Sequence, residues 1–229
     1  MIDQRTISVI ITTYHPGRRS TLGLVLDAWD RQPADQIWLL NAGKPFAHDG
    51  RAIVFNMPRD LGNGMDYSFA PLTDGDLVVL ADDDFMPEIG FLDDMVKGWI
   101  AAGGGIVGTI GRRFSGPCYN TQTQYFRARE VERPEPVGFA GVCVMAPRSL
   151  FGFDVCGLHR NCDDLWWQMK QFPRVPKHVV PATHYQDLPC CQDQSAMYRQ
   201  AGDMRETRAR FYAEMFAAHY ANEDGFDGR

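Results

Sequence analysis

The chain has 229 residues, 45% of them hydrophobic and 23% charged, enough to bury a sizeable core. A formal net charge of −6 argues against a broad surface for nucleic-acid phosphates, while leaving room for a local basic pocket. No run of about eighteen apolar residues occurs, so no transmembrane segment is expected.

Ile7 to Ile11 is rich in β-branched residues and predicts a buried strand, followed by polar Thr12, Thr13 and Tyr14. Pro16-Gly17 mark a loop, and Arg18 to Arg31 predicts a helix with Leu22, Val25, Leu26 and Trp29 on one face. Strands are predicted at Gln36 to Leu40, ending at Asn41, then at Ala52 to Phe55 and at Asp76 to Ala81. The last of these runs straight into Asp82-Asp83-Asp84. Pro87 to Ala101 predicts a helix opened by Pro87 and Glu88, and Gly105 to Thr109 a further strand. Beyond it, Arg127 to Pro136 predicts an exposed loop and Val137 to Ala146 a strand. Ser149 to Phe153 and Asp163 to Gln171 predict short helices, Pro181 to Gln194 a loop, and Asp203 to Tyr220 a longer helix. The rhythm is that of an α/β domain, with a mixed, mainly parallel, Rossmann-like sheet flanked by helices over residues 1–229. No basic-then-apolar leader precedes the first strand, so a cytoplasmic location and free thiols at the six cysteines are expected.

Ligands of such sheets bind outside the carboxyl ends of the strands. Thr12, Thr13, Tyr14, Asn41 and the three aspartates all fall there. In an extended chain Asp82 and Asp84 project to one side. Adjacent carboxylates repel, and a hard divalent cation, Mn²⁺ or Mg²⁺, would compensate them while leaving coordination sites for phosphate oxygens. The competing reading is a solvated acidic turn in which Asp84 caps the next helix.

Ser8 to Tyr14 resembles the opening strand of GT-A glycosyltransferases, including the large family 2, and Leu80 to Asp84 resembles their D-x-D motif. Val107 to Arg113, Phe139 to Cys143 and Asn161-Cys162-Asp163-Asp164 are similar to segments of the exostosin-type family 64. The resemblance implies a GT-A fold, a nucleotide-diphospho-sugar donor, commonly UDP-linked, and a manganese ion. It places the donor-binding half at about 1–115 and the acceptor and catalytic half at about 116–229. For family 64 it also implies retention of anomeric configuration. The acceptor expected is a hydroxyl on a glycan, glycolipid or small molecule.

Asp163 and Asp164 open a helix, whose free N–H groups favour ionised carboxylates. The resemblance assigns the catalytic role to Asp164, as a base in an inverting enzyme or as a stabiliser or nucleophile in a retaining one. In the last helix Arg208 falls on the apolar face and Arg205 at its margin, and a guanidinium there needs an anion. A donor diphosphate and a buried carboxylate are equally good partners. Further donor contacts are expected from Asn63, Asp82, Asp83 and Arg112, with Tyr14 stacking on a base. His184 is a candidate third metal ligand beside Asp84 and Asp82. Trp166 and Trp167 are candidates for the acceptor cleft or the core. A sugar nucleotidyltransferase is disfavoured, since the loop from Thr12 to Arg19 has only Gly17. A non-catalytic nucleotide-sugar-binding module and a transferase acting on modified nucleic-acid bases are further alternatives.

Overall fold

The computed structural model describes residues 5–13, 16–59, 64–119, 121–152, 162–188 and 202–219. Tyr14, Asn63, Asn161, Cys156, Cys190 and Cys191 lie outside them, as does the side chain of Arg205. The strands are β1 Ile7–Thr13, β2 Gln36–Asn41, β3 Ile53–Asn56, β4 Leu77–Asp82, β5 Phe85–Pro87, β6 Ile106–Phe114, β7 Thr123–Arg127, β8 Glu135–Pro136, β9 Phe139–Pro147, β10 Lys177–Val179 and β11 Tyr185–Asp187. The helices are α1 Arg19–Asp30, α2 Met65–Phe69, α3 Phe91–Ala101, α4 Asp163–Leu165 and α5 Gly202–His219. α4 continues as a π-helical segment over Trp166–Gln171. No helix among the described residues is long and apolar enough to cross a membrane.

The main sheet runs in the order β3-β2-β1-β4-β9-β6-β10-β8, with β7 also paired to β6. β3, β2, β1 and β4 are parallel, whereas β9 inserts antiparallel between β4 and β6. β4 and β6 therefore point the same way, and their carboxyl ends share one edge. Alternation sorts the core onto two faces. Val9, Ile11, Leu39, Val79 and Ala81 pack with Leu22, Trp29, Phe91 and Met95 of α1 and α3. Ile10, Leu40, Val78 and Leu80 pack with Met65, Phe151 and Trp167 on the other face.

Three local expectations are corrected. Pro87 and Glu88 do not open a helix: Phe85–Pro87 pairs antiparallel with Tyr185–Asp187, and α3 starts at Phe91 after Gly90, whose φ is 98°. Burial decides this, because Phe85 stacks on Tyr185 at 4.9 Å and meets Trp29 and Phe91. The loop expected from Arg127 begins with the last residue of β7, which continues β6 as an antiparallel partner, and ends in β8. The loop from Pro181 holds β11, while α2 and β10 had no counterpart among the predicted elements. Their apolar stretches are too short for periodicity to reveal.

β9 outruns β4. The ladder between them ends at Leu80 and Val144, leaving the upstream part of β9 with an open edge. Gln168, fully buried, closes it: its Oε1 accepts from Ala140 N at 2.8 Å and its Nε2 donates to Ala140 O at 2.6 Å. One side chain thus replaces a strand and fixes the helix of Asp163 and Asp164 to the sheet. Gln168→Leu removes both bonds and strands a buried donor and acceptor, so we expect a stability loss of about 2–3 kcal/mol. In urea the midpoint should fall with the slope unchanged.

Candidate functional site

β1 and β4 are in register, so Thr12 lies across from Asp82. The strand ends at Asp82, and Asp83 and Asp84 form a turn before β5. The extended-chain reasoning that put Asp82 and Asp84 on one side therefore does not apply: the chain bends to bury Phe85. Asp83 and Asp84 are buried, and Asp82 opens to solvent at the sheet edge.

The three carboxylates are held differently. Thr13 Oγ1 donates to Asp83 Oδ2 at 2.6 Å. Arg18, just before α1, bonds Asp83 through Nη1 and reaches Asp84 Oδ2 through Nη2 at 3.0 Å. Burial works against its charge, but Asp83 and Asp84 hold its proton above the ordinary range. Among the described residues Asp82 forms no ion pair, and Arg18 acts on it only as a more distant charge. Withdrawal from bulk water, then the charges of Asp84 and Asp83, push its carboxyl up to about 8. Asp82 still meets solvent at the sheet edge, so its loss of hydration is partial. Asp84 rises to about 6, through burial and Asp83, against the pull of Arg18. Arg18 is the residue that sequence reasoning missed. The signal was available: three adjacent acids need a cation, and the loop after the first strand carries Arg18 at the same edge.

Across the cleft, α4 presents two carboxylates with different surroundings. Asp164 is gripped by Arg208 of α5, Nη1 to Oδ1 at 2.8 Å and Nη2 to Oδ2 at 2.9 Å. Arg208 Nη2 also lies 3.3 Å from the Tyr119 hydroxyl. The anion that this guanidinium needed is therefore Asp164. Among the described residues Asp163 forms no ion pair; burial and the charge of Asp164 push it up to about 7, against the pull of Arg208. Asp66 of α2 is also raised, by burial first and then by Asp163 and, more weakly, Asp82. Asp66, Asp82 and Asp163, on α2, β4 and α4, thus lie near enough to feel one another's charge.

The remaining candidates divide. Asn41 is buried, and its amide donates to Lys44 O and Asn56 Oδ1 while accepting from Gly43 N. Both amide hydrogens are taken, so it shapes the 41–46 turn and has no donor left for a ligand. Arg112 lies over the rings of Tyr119 and Tyr125, at 4.6 and 5.6 Å. His184 Nδ1 is 2.7 Å from Asp94 Oδ2 of α3. Strand pairing sets His184 O on Glu88 N, whereas Leu188 N donates to Asp84 O. Asp187 and Leu188, not His184, are the residues of this segment beside the acidic turn. Trp167 is core and donates to Leu150 O, and Trp166 stacks on Phe211 of α5.

Asp82, Asp83 and Asp84 do not bring three ligand atoms within 4.8 Å of one another; among the described residues Asp27, Asp30 and His48 do. That trio lies at the far end of α1, where His48 and Arg51 N bond Asp30 Oδ2 at 2.7 and 3.0 Å. There it ties the 48–51 segment to the helix.

The raised carboxylates carry a sign for stability. Asp82, Asp84 and Asp163 bind protons more tightly folded than unfolded, where an aspartate titrates near 3.9. Their contribution is complete below about pH 4 and is lost as pH rises through about 6 to 8. The thermal midpoint of the metal-free protein should fall from pH 5 to pH 8, and Asp82→Asn should flatten that slope. A midpoint level or rising over this range would contradict the crowding described.

No protein-family model matches the chain, and no curated protein matches it. Solved structures do. The crystal structure of S. aureus TarS 1-349 aligns with a TM-score of 0.57 at 11% identity, over 96% of this chain and 74% of that one. The same fragment in complex with UDP-GlcNAc aligns at 0.55 and 13% identity, over 79% and 57%. GalNAc-T7 with UDP, GalNAc and Mn²⁺ aligns at 0.62 and 12% identity, over 93% and 48%. Of the longer TarS chain, this one spans 36%. At such identities the likeness is one of fold. The mainly parallel sheet flanked by helices is the GT-A architecture of these glycosyltransferases.

Proposed function

We propose that this chain is a metal-dependent glycosyltransferase that moves a sugar from a UDP-sugar to a hydroxyl acceptor. The observation that carries this reading is Asp82: a carboxyl at the carboxyl edge of the sheet, crowded by carboxylates and, among the described residues, in no ion pair. Its neighbours Asp83 and Asp84 are organised by Arg18 and Thr13, so the deficit is local to one side of the turn. Oxygen ligands short of positive charge fit Mn²⁺ or Mg²⁺, with Asp82 and the second oxygen of Asp84 as the residues to hold it. Such an ion supplies charge neutralisation for a leaving diphosphate. The UDP and Mn²⁺ of the fold neighbours support the same choice of donor and cofactor.

Residues 1–115 supply the donor side, with Thr12 beside Asp82, and residues 116–229 the catalytic side. Asp163 is the base. It lies near enough to Asp82 to feel its charge, forms no ion pair among the described residues, and is raised to about 7 by burial and Asp164. It takes the proton of the acceptor hydroxyl as that oxygen attacks the anomeric carbon and the bond to the diphosphate oxygen breaks. Asp164, both oxygens engaged by Arg208, positions the start of α4 rather than reacting. This division favours direct displacement with inversion. Retention, implied by the likeness to family 64, would instead have an aspartate of this pair stabilise positive charge on the sugar or attack it.

Calorimetry should show UDP binding that depends on Mn²⁺ and is lost in Asp82→Asn. Affinity unchanged by that substitution would remove the metal from this site. Asp163→Asn should keep UDP affinity and slow transfer by about a hundredfold or more, the usual contribution of a general base. NMR of the product's anomeric proton then reads the stereochemistry.

A further inference from the structure

We infer that the hairpin of β6 and β7 is the acceptor arm of the cleft, and that it takes an acceptor bearing a carboxylate or a phosphate. This rests on the glycosyltransferase reading for the word acceptor; the anion site itself stands on its own geometry. Arg112 is directly across from Tyr125 in the β6–β7 ladder, and Arg127 follows two residues on, so all three project from one face. The two guanidinium carbons lie 5.6 and 5.5 Å from the Tyr125 ring, which is 42% exposed. Arg127 is exposed as well and bonds Tyr125.

Among the described residues neither arginine forms an ion pair. Among the described residues Arg112 makes two long hydrogen bonds, at 3.4 Å, to Tyr119 O and Thr123 Oγ1, and lies over the Tyr119 and Tyr125 rings. Asp187 is near enough for its charge to act on Tyr125. Two guanidinium groups beside one aromatic ring, Arg127 exposed and Arg112 half-buried, are a local reversal of sign in a chain of net charge −6. Paired guanidinium groups match the planar oxygens of carboxylate and phosphate, and an exposed tyrosine offers a sugar ring a flat apolar face.

The position relates this patch to the reacting centre. β6 stands two strands from β4, about 10 Å across at ordinary strand spacing, and ends at the same edge. Arg112 stacks on Tyr119, and Tyr119 meets the Arg208 that grips Asp164. An unbroken line of side chains therefore runs from the helix of Asp163 to Arg127. A sugar whose hydroxyl meets Asp163 would extend its next unit along that line.

The test uses the full chain loaded with UDP and Mn²⁺. Methyl β-glucuronide and glucose 6-phosphate are titrated against neutral methyl β-glucoside, for the wild type and for Arg127→Gln and Tyr125→Ala. The acidic sugars should bind about tenfold tighter than the neutral one, the size of one charge-assisted hydrogen bond. Arg127→Gln should erase that preference and leave UDP affinity unchanged, and Tyr125→Ala should weaken all three sugars. Whichever acid binds tighter identifies the substituent as carboxylate or phosphate. Equal binding of the neutral sugar, or an acid preference that survives Arg127→Gln, overturns the proposal. If UDP fails to bind while the acid preference holds and depends on Arg127, the glycosyltransferase reading falls and the anion site stands. If UDP binds and the preference is absent, only the anion site falls.

Discussion

The cleft depends on how one turn stores negative charge. Ala81 and Phe85 are buried on either side of Asp82-Asp83-Asp84, so the backbone has no freedom to splay the carboxylates apart. A single guanidinium, Arg18, offsets two of them and Thr13 adds a hydrogen bond to one. That leaves Asp82 with the unbalanced remainder. Had Arg18 spanned all three, the turn would be a closed salt-bridge cluster with no need of a ligand. Had it been absent, burying Asp83 would cost several kcal/mol. The asymmetry makes the site both stable enough to form and unsatisfied enough to bind.

The opposite wall repeats this division. Of two adjacent aspartates, Asp164 receives a bidentate arginine and Asp163 receives none. Environment rather than residue type separates their roles, as it does for carboxylate pairs generally. The wall is located by two devices that involve no ion pair. Gln168 plugs the open edge of β9, and Lys177 Nζ donates to the carbonyls of Phe172 and Val175 at the far end of the same helix. Burial lowers that lysine to about 8, yet its bonds to carbonyl oxygens keep it seated.

Much of the donor side was legible from sequence because its signals are local. β-branched runs such as Ile7 to Ile11 mark buried strands, and the acids after Leu77 to Ala81 mark the end of one. What sequence did not disclose is pairing over distance. Phe85 reads as the approach to a helix until Tyr185, a hundred residues on, is known to stack upon it. Asn41 looks like a ligand contact until Asn56 and Lys44 are seen to use its amide. Arg208 was recognised as a guanidinium in want of an anion, but periodicity offers no means of choosing between a diphosphate and Asp164. β7 was hidden because its Tyr125 and Arg127 face outward, so the strand lacks the apolar side that betrays one.

Charge is graded along the cleft. The donor end is acidic, with Asp66, Asp82, Asp84 and Asp163 all raised by burial and, in varying degree, by one another. The far end is basic, with Arg112 and Arg127 unpaired among the described residues. Between them stands the Arg208–Asp164 pair, neutral as a unit and roofed by Tyr119. Such a gradient orients whatever enters. On the reading proposed, a cation would be drawn to the acidic turn and an anionic group to the β6–β7 arm, so a sugar carrying both a reactive hydroxyl and an acid would enter one way round. Like charge at the wrong end opposes the reverse pose, so repulsion contributes to selectivity as much as attraction does.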